Sequence, residues 1–94
     1  MIKSSLLQTL PITGLDQGHR YYLVVSNAQS NVSIEFKHAG DPTWRVLPGV
    51  GGAPIGTVVA FELLVFTPEM RLVFASSPSS TYYFSAVCSA VATF

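Results

Sequence analysis

Apolar and polar residues trade places every second position along much of this chain. His19–Ser26 sets Tyr21, Leu23 and Val25 on one side and Arg20, Tyr22 and Val24 on the other. Asn31–Lys37 does the same, with Val32, Ile34 and Phe36 against Ser33, Glu35 and Lys37. A period of two is that of a strand, whose successive side chains point to opposite faces. No segment holds a helical period. β-Branched and aromatic residues gather in seven runs: Ile2–Leu10, His19–Ser26, Asn31–Lys37, Thr43–Leu47, Thr57–Phe66, Met70–Ala75 and Thr81–Ala92. Gly, Pro, Asn and Ser separate them, the residues that turns select. The pattern predicts an all-β chain: a single antiparallel β-sandwich domain over residues 1–94, of about seven strands, jelly-roll-like or a barrel variant. Residues 1–13 are a candidate extended N-terminal arm.

Side-chain chemistry suggests registers. Ser26 opposite Asn31 pairs Val25 with Val32, Leu23 with Ile34 and Tyr21 with Phe36. A hairpin with His38–Pro42 as its loop sets Phe36 opposite Trp44, Ile34 opposite Val46 and Glu35 opposite Arg45. Trp44 then lies over the core rather than in a ligand site. The glycine-rich stretch Pro48–Gly56 lacks the Lys and Ser/Thr of a phosphate-binding loop and precedes no helix. It reads as a crossing between sheets or a loop that adapts to a partner.

Two runs are apolar on both faces. Val58–Phe66 is interrupted only by Glu62, which predicts a central strand covered on both sides. In Thr81–Ala92, Tyr82, Phe84, Ala86, Cys88 and Ala90 face one way, and Tyr83, Ser85, Val87, Ser89 and Val91 the other. Cys88 reads as a small buried hydrophobe. Composition sharpens the point: 49% of residues are apolar and 11% are charged, where an ordinary soluble chain has about 25% charged. A folded chain of this size exposes roughly 5,000 Å², or about one charge per 500 Å². Formal net charge is zero, so copies do not repel one another. These features predict a homo-oligomer, trimer favoured, with part of the surface covered by neighbours.

Several function classes drop out. Five scattered cations do not make the basic patch that nucleic acid requires. The apolar runs are too short for a helical membrane span, and the broken N-terminal run is not a signal peptide. Cys88 is the only cysteine, which excludes an intrachain disulfide and fits synthesis in a reducing cytoplasm. Asp16, Glu35, Asp41, Glu62 and Glu69 form no evident acid–base pair, and no Gly-x-Ser-x-Gly elbow occurs. His19 and His38 would meet at the open end of the first hairpin, with Asp16 or Asp41 nearby, but two imidazoles make an incomplete metal site. No catalytic, cofactor-binding or metal residue is assigned, no cofactor is expected, and the chain is read as a non-enzyme. Trp44, Tyr21, Tyr22, Tyr82 and Tyr83 are the candidate aromatics for a glycan-binding alternative.

The stretches VSIEFKHAGDPTWRVLPG (Val32–Gly49) and AFELLVFTPEMRLVFASSPSSTYYFSAV (Ala60–Val87) together resemble small all-β virion proteins of tailed bacteriophages. The resemblance covers roughly residues 32 to 91 and rests on sandwich patterns, with no site motif to carry over. It implies a virion protein made in the host cytoplasm, a capsid decoration (cement) protein that contacts the major capsid protein and stabilises the phage head. Such proteins are commonly trimeric. A tail, fibre or host-adhesion module is the alternative. Pro48–Gly56 and Met1–Thr13 are the candidate contact segments.

Overall fold

The structure is a computed structural model and describes residues 2–91. Eight strands and no helix make up the described chain: β1 (Ile2–Ser5), β2 (Thr9–Ile12), β3 (His19–Ser26), β4 (Val32–Lys37), β5 (Arg45–Gly52), β6 (Val58–Leu64), β7 (Glu69–Phe74) and β8 (Tyr82–Val91). They form two antiparallel four-stranded sheets, sheet A ordered β1-β8-β3-β6 and sheet B ordered β2-β7-β4-β5. The fold is therefore a β-sandwich, and no strand closes it into a barrel. The pairs β1–β8, β2–β7, β3–β6 and β4–β5 describe one long antiparallel ribbon, tipped by the β4–β5 hairpin and rolled up on itself. That is the jelly-roll arrangement.

The two sheets share one core. Tyr21, Leu23, Val25, Tyr82, Phe84, Val59 and Leu63 point inward from sheet A, and Val32, Ile34, Met70, Leu72, Phe74, Leu10 and Ile12 from sheet B. Phe74 and Tyr82 pack with ring centroids 4.5 Å apart, within the favoured range for tilted aromatic pairs. Burial raises the Tyr82 phenol pKa against a smaller opposing effect of a hydrogen bond with Ser5, and its hydroxyl donates to the Leu7 carbonyl at 2.7 Å.

The inward and outward phases of β3 and β4 are those of the alternation, but the strands are not a hairpin. β3 lies in sheet A between β8 and β6, and β4 lies in sheet B between β7 and β5. Leu23 and Ile34 belong to opposite walls of the core. Asn27 makes the crossing, with φ of 58°, a left-handed conformation that Asn tolerates better than most residues. The first expected strand also divides. β1 joins sheet A, Leu6–Gln8 crosses the end of the sandwich, and β2 joins sheet B. Residues 2–12 are thus largely built into the sheets rather than extended as an arm, while Met1 lies outside the described residues. Ala92, the expected end of the last strand, lies outside them too.

β6 is an edge strand, not a central one. Its two apolar faces arise because Val59 and Leu63 fill the core while Val58, Ala60 and Leu64 line an outer face that is itself apolar. Pro11 and Pro48 fall in β2 and β5, the two edges of sheet B, where a missing N–H breaks no ladder bond. β5 extends through Gly52, so most of the expected glycine-rich connection is strand.

Candidate functional site

The hairpin tip, one corner of sheet A and the outer sheet faces hold the chemistry that the sequence singles out. At the β4–β5 tip, Asp41 gathers three partners. Its Oδ1 accepts from the Thr43 amide at 3.0 Å. Its Oδ2 accepts from Arg45 Nε at 2.7 Å and lies 3.2 Å from His38 Nε2. The Arg45 hydrogen bond, then that of the Thr43 amide, lowers the Asp41 pKa. This fastens the turn and explains why Arg45 does not reach Glu35.

The hairpin register differs from expectation by one residue: Glu35 lies opposite Val46 and Phe36 opposite Arg45. Trp44 precedes β5 and is not the partner of Phe36. It reaches over the outer face of sheet B, with the Arg71 guanidinium carbon 4.1 Å and Lys37 Nζ 5.2 Å from its ring centroid. Arg71 Nε also donates to Glu35 Oε1 at 2.7 Å, because Glu35 and Arg71 are directly opposed across β4 and β7. Arg71 had no signal in local sequence; its role follows from a pairing between strands far apart in the chain.

His19 and His38 do not meet. His19 starts β3 in sheet A, and its Nδ1 lies 4.0 Å from Asp16 Oδ2 and 3.9 Å from Cys88 Sγ. His38 belongs to the hairpin tip of sheet B. Cys88 has the inward phase of β8 but sits at the strand's end and is exposed, not buried. Among the described residues, no group of three or more His, Cys, Asp or Glu side chains is placed to hold a metal. A pocket of about 250 Å³ near Leu15, Val65 and Met70 has no charged side chain in its lining.

The aromatic candidates divide among three places. Tyr21 and Tyr82 are core residues, Trp44 covers the outer face of sheet B, and Tyr22 and Tyr83 stand on the outer face of sheet A. The five do not share one face. The outer face of sheet A is mostly apolar. Its cross-strand rows are Ser4–Tyr83–Ser26–Val58, then Ile2–Ser85–Val24–Ala60, then Val87–Tyr22–Glu62, then Ala90–Arg20–Leu64. Tyr22, Tyr83 and Val87 are 55%, 52% and 66% exposed. Arg20 and Glu62 carry the charges of these rows and already pair with each other at 3.2 Å. Sheet B presents Glu35, Lys37, Glu69 and Arg71 on its outer side. At the turn into β6, Ile55 is 89% exposed, an apolar residue projecting from the loop that the sequence marks as a contact candidate. Comparison with protein-family models, with curated proteins and with solved structures finds no match to this chain.

Proposed function

We propose that this chain is a non-enzymatic virion structural protein, a capsid decoration (cement) protein that associates with itself and with shell subunits to stabilise a phage head. The observation that carries the reading is the contrast between the two outer faces. One carries only Arg20 and Glu62 among exposed Tyr and Val; the other carries Glu35, Lys37, Glu69 and Arg71 side by side. Depletion of charge with enrichment of aromatics marks the buried centre of interfaces. Three carboxylates, Glu35, Asp41 and Glu62, already have cationic partners, which favours binding over acid–base work. The jelly roll also occurs in viral capsid and lectin domains, an analogy of fold alone. Ile55 and its loop supply a projecting contact toward a shell subunit. A protein that binds only the assembled shell stabilises it by mass action, and repeated weak contacts add through multivalency.

The test compares particles made with and without this protein for thermal or osmotic rupture. Earlier rupture without it supports the proposal. Its absence from purified particles, with unchanged rupture, ends it. Presence with unchanged rupture points to the tail or host-adhesion alternative, which a Trp44 fluorescence shift on a sugar panel would favour.

A further inference from the structure

We propose that the outer face of sheet A is closed by the same face of a second copy, in a two-fold, face-to-face dimer. The inference uses the reading of this face as an interaction surface and does not depend on the shell role. Size is the first argument. Strands about 4.8 Å apart and rows of outward side chains about 6.8 Å apart, four rows on β8, β3 and β6 and two on β1, make a face of about 450 Å². Two such faces remove about 900 Å² before the relief of Tyr22, Tyr83 and Val87 is counted, close to the about 1,000 Å² that a specific interface needs.

Charge is the second argument. The ion pair Arg20–Glu62 is internal to the face, so the surface offers a charged partner no unpaired attraction. The chain has zero formal net charge, so two copies approach without long-range repulsion.

Relief is the third. Across β8, β3 and β6, the bulky Val87–Tyr22 lies next to the smaller Ser85–Val24–Ala60, with Ile2 beyond them on β1, a strand that does not extend to the Val87 row. A two-fold axis in the interface plane, across the strands and between these rows, lays each bulky row over the smaller row of the other copy. It also brings the Arg20–Leu64 row of each copy over the other's Tyr83–Val58 row. An isologous interface needs this self-complementarity, in which residue i meets j and j meets i. A three-fold ring would instead require the face to meet a different surface on its neighbour.

The experiment is sedimentation velocity on the full chain from 1 to 100 µM, a range chosen to bracket micromolar association, with Val87→Lys, Ser85→Arg and, on the outer side of sheet B, Val46→Lys. Circular dichroism checks the fold of each, and the outward position of all three side chains keeps the core intact. The expected result is a wild-type dimer, a Kd raised at least about tenfold by Val87→Lys and by Ser85→Arg, and no change with Val46→Lys. Mixing Val87→Lys with Ser85→Glu should restore a heterodimer, because row 87 of one copy faces row 85 of the other. A wild-type monomer at 100 µM overturns the inference, as does a trimer or a dimer that Val87→Lys and Ser85→Arg leave unaltered. A dimer absent from particles would keep this inference and end the shell proposal; particle-bound protein that is monomeric in solution would do the reverse.

Discussion

Gly51 shows how much one residue can decide. It stands opposite Ser33 at the register shift between β4 and β5, with φ of 100°. A Cβ built there would lie 2.2 Å from the Val32 carbonyl oxygen, a backbone atom that cannot swing away. Gly49 also has positive φ, but open space surrounds its would-be Cβ. Gly49→Ala should therefore cost about 1–3 kcal/mol of backbone strain, and Gly51→Ala distinctly more; equal midpoints in urea unfolding would refute the distinction. Trp44 differs in kind. Its half-buried ring covers Arg71 on the outside of sheet B rather than filling the core. Trp44→Ala should cost about 1–2 kcal/mol, from a cation–π contact and partial burial, well short of the about 3–5 kcal/mol of a buried aromatic. Asp41 adds a pH dependence. A carboxyl with a lowered folded-state pKa adds stability above its unfolded value, about 3.9 for Asp, and the contribution fades as pH falls through the folded value. The Tm difference between wild type and Asp41→Asn should be widest near neutral pH and shrink below about pH 4. A constant gap down to pH 2 would show that the charge on Asp41 does not matter to the turn. The Asp41–Arg45 and Glu35–Arg71 pairs were not legible from the sequence, because Arg45 is freed from Glu35 by a one-residue register difference and Arg71 is brought to Glu35 by the pairing of β4 with β7, which no local pattern reports.

Among elements, the crossings between sheets do most to set the topology. Asn27–Asn31 carries the chain from sheet A to sheet B, and Ala75–Thr81 carries it back. Polar side chains tie these crossings together. Gln29 Oε1 accepts from the Ser79 amide at 2.8 Å and the Ser79 hydroxyl at 2.9 Å, while its Nε2 donates to the Ser80 carbonyl at 2.8 Å. Asn27 Nδ2 donates to the Thr81 carbonyl at 2.8 Å. Gln29→Ala removes several bonds at once and should destabilise by about 1–3 kcal/mol, with faster hydrogen exchange concentrated at Ser79 and Ser80. Uniform protection across the Ser-rich loop in that variant would count against the tie. In sequence, both segments read only as turns. Their function as a clasp depends on two crossings meeting at one end of the sandwich, which no local signal reports. The bounds of β3 were readable because its alternation is unbroken. β5 ran past its expected end because three positive-φ glycines, Gly49, Gly51 and Gly52, look like a loop but here carry an irregular edge strand.

At the scale of the molecule, both sheets contribute to one continuous core, so neither can lose its partner and stay folded. Unfolding should be two-state. Trp44 fluorescence, which reports sheet B, and far-ultraviolet circular dichroism, which reports both sheets, should give coincident transitions in denaturant. Separate midpoints would show that the sheets unfold independently. The sequence by itself determined the all-β class, the positions of most strands and which side chains of β3, β4 and β8 point inward. Those are local consequences of a period of two, set by the geometry of the extended backbone. Tertiary structure alone decided which strands pair, that β3 and β4 face each other across the core rather than lie side by side, that β6 is an edge, and that His19 and His38 stand apart. The physical reason is that an inward-facing Leu23 satisfies the same pattern whether Ile34 is its neighbour in a sheet or its opposite on the other wall. Burial fixes the face of a strand, whereas pairing is chosen by crossings and ribbon closure over the length of the chain.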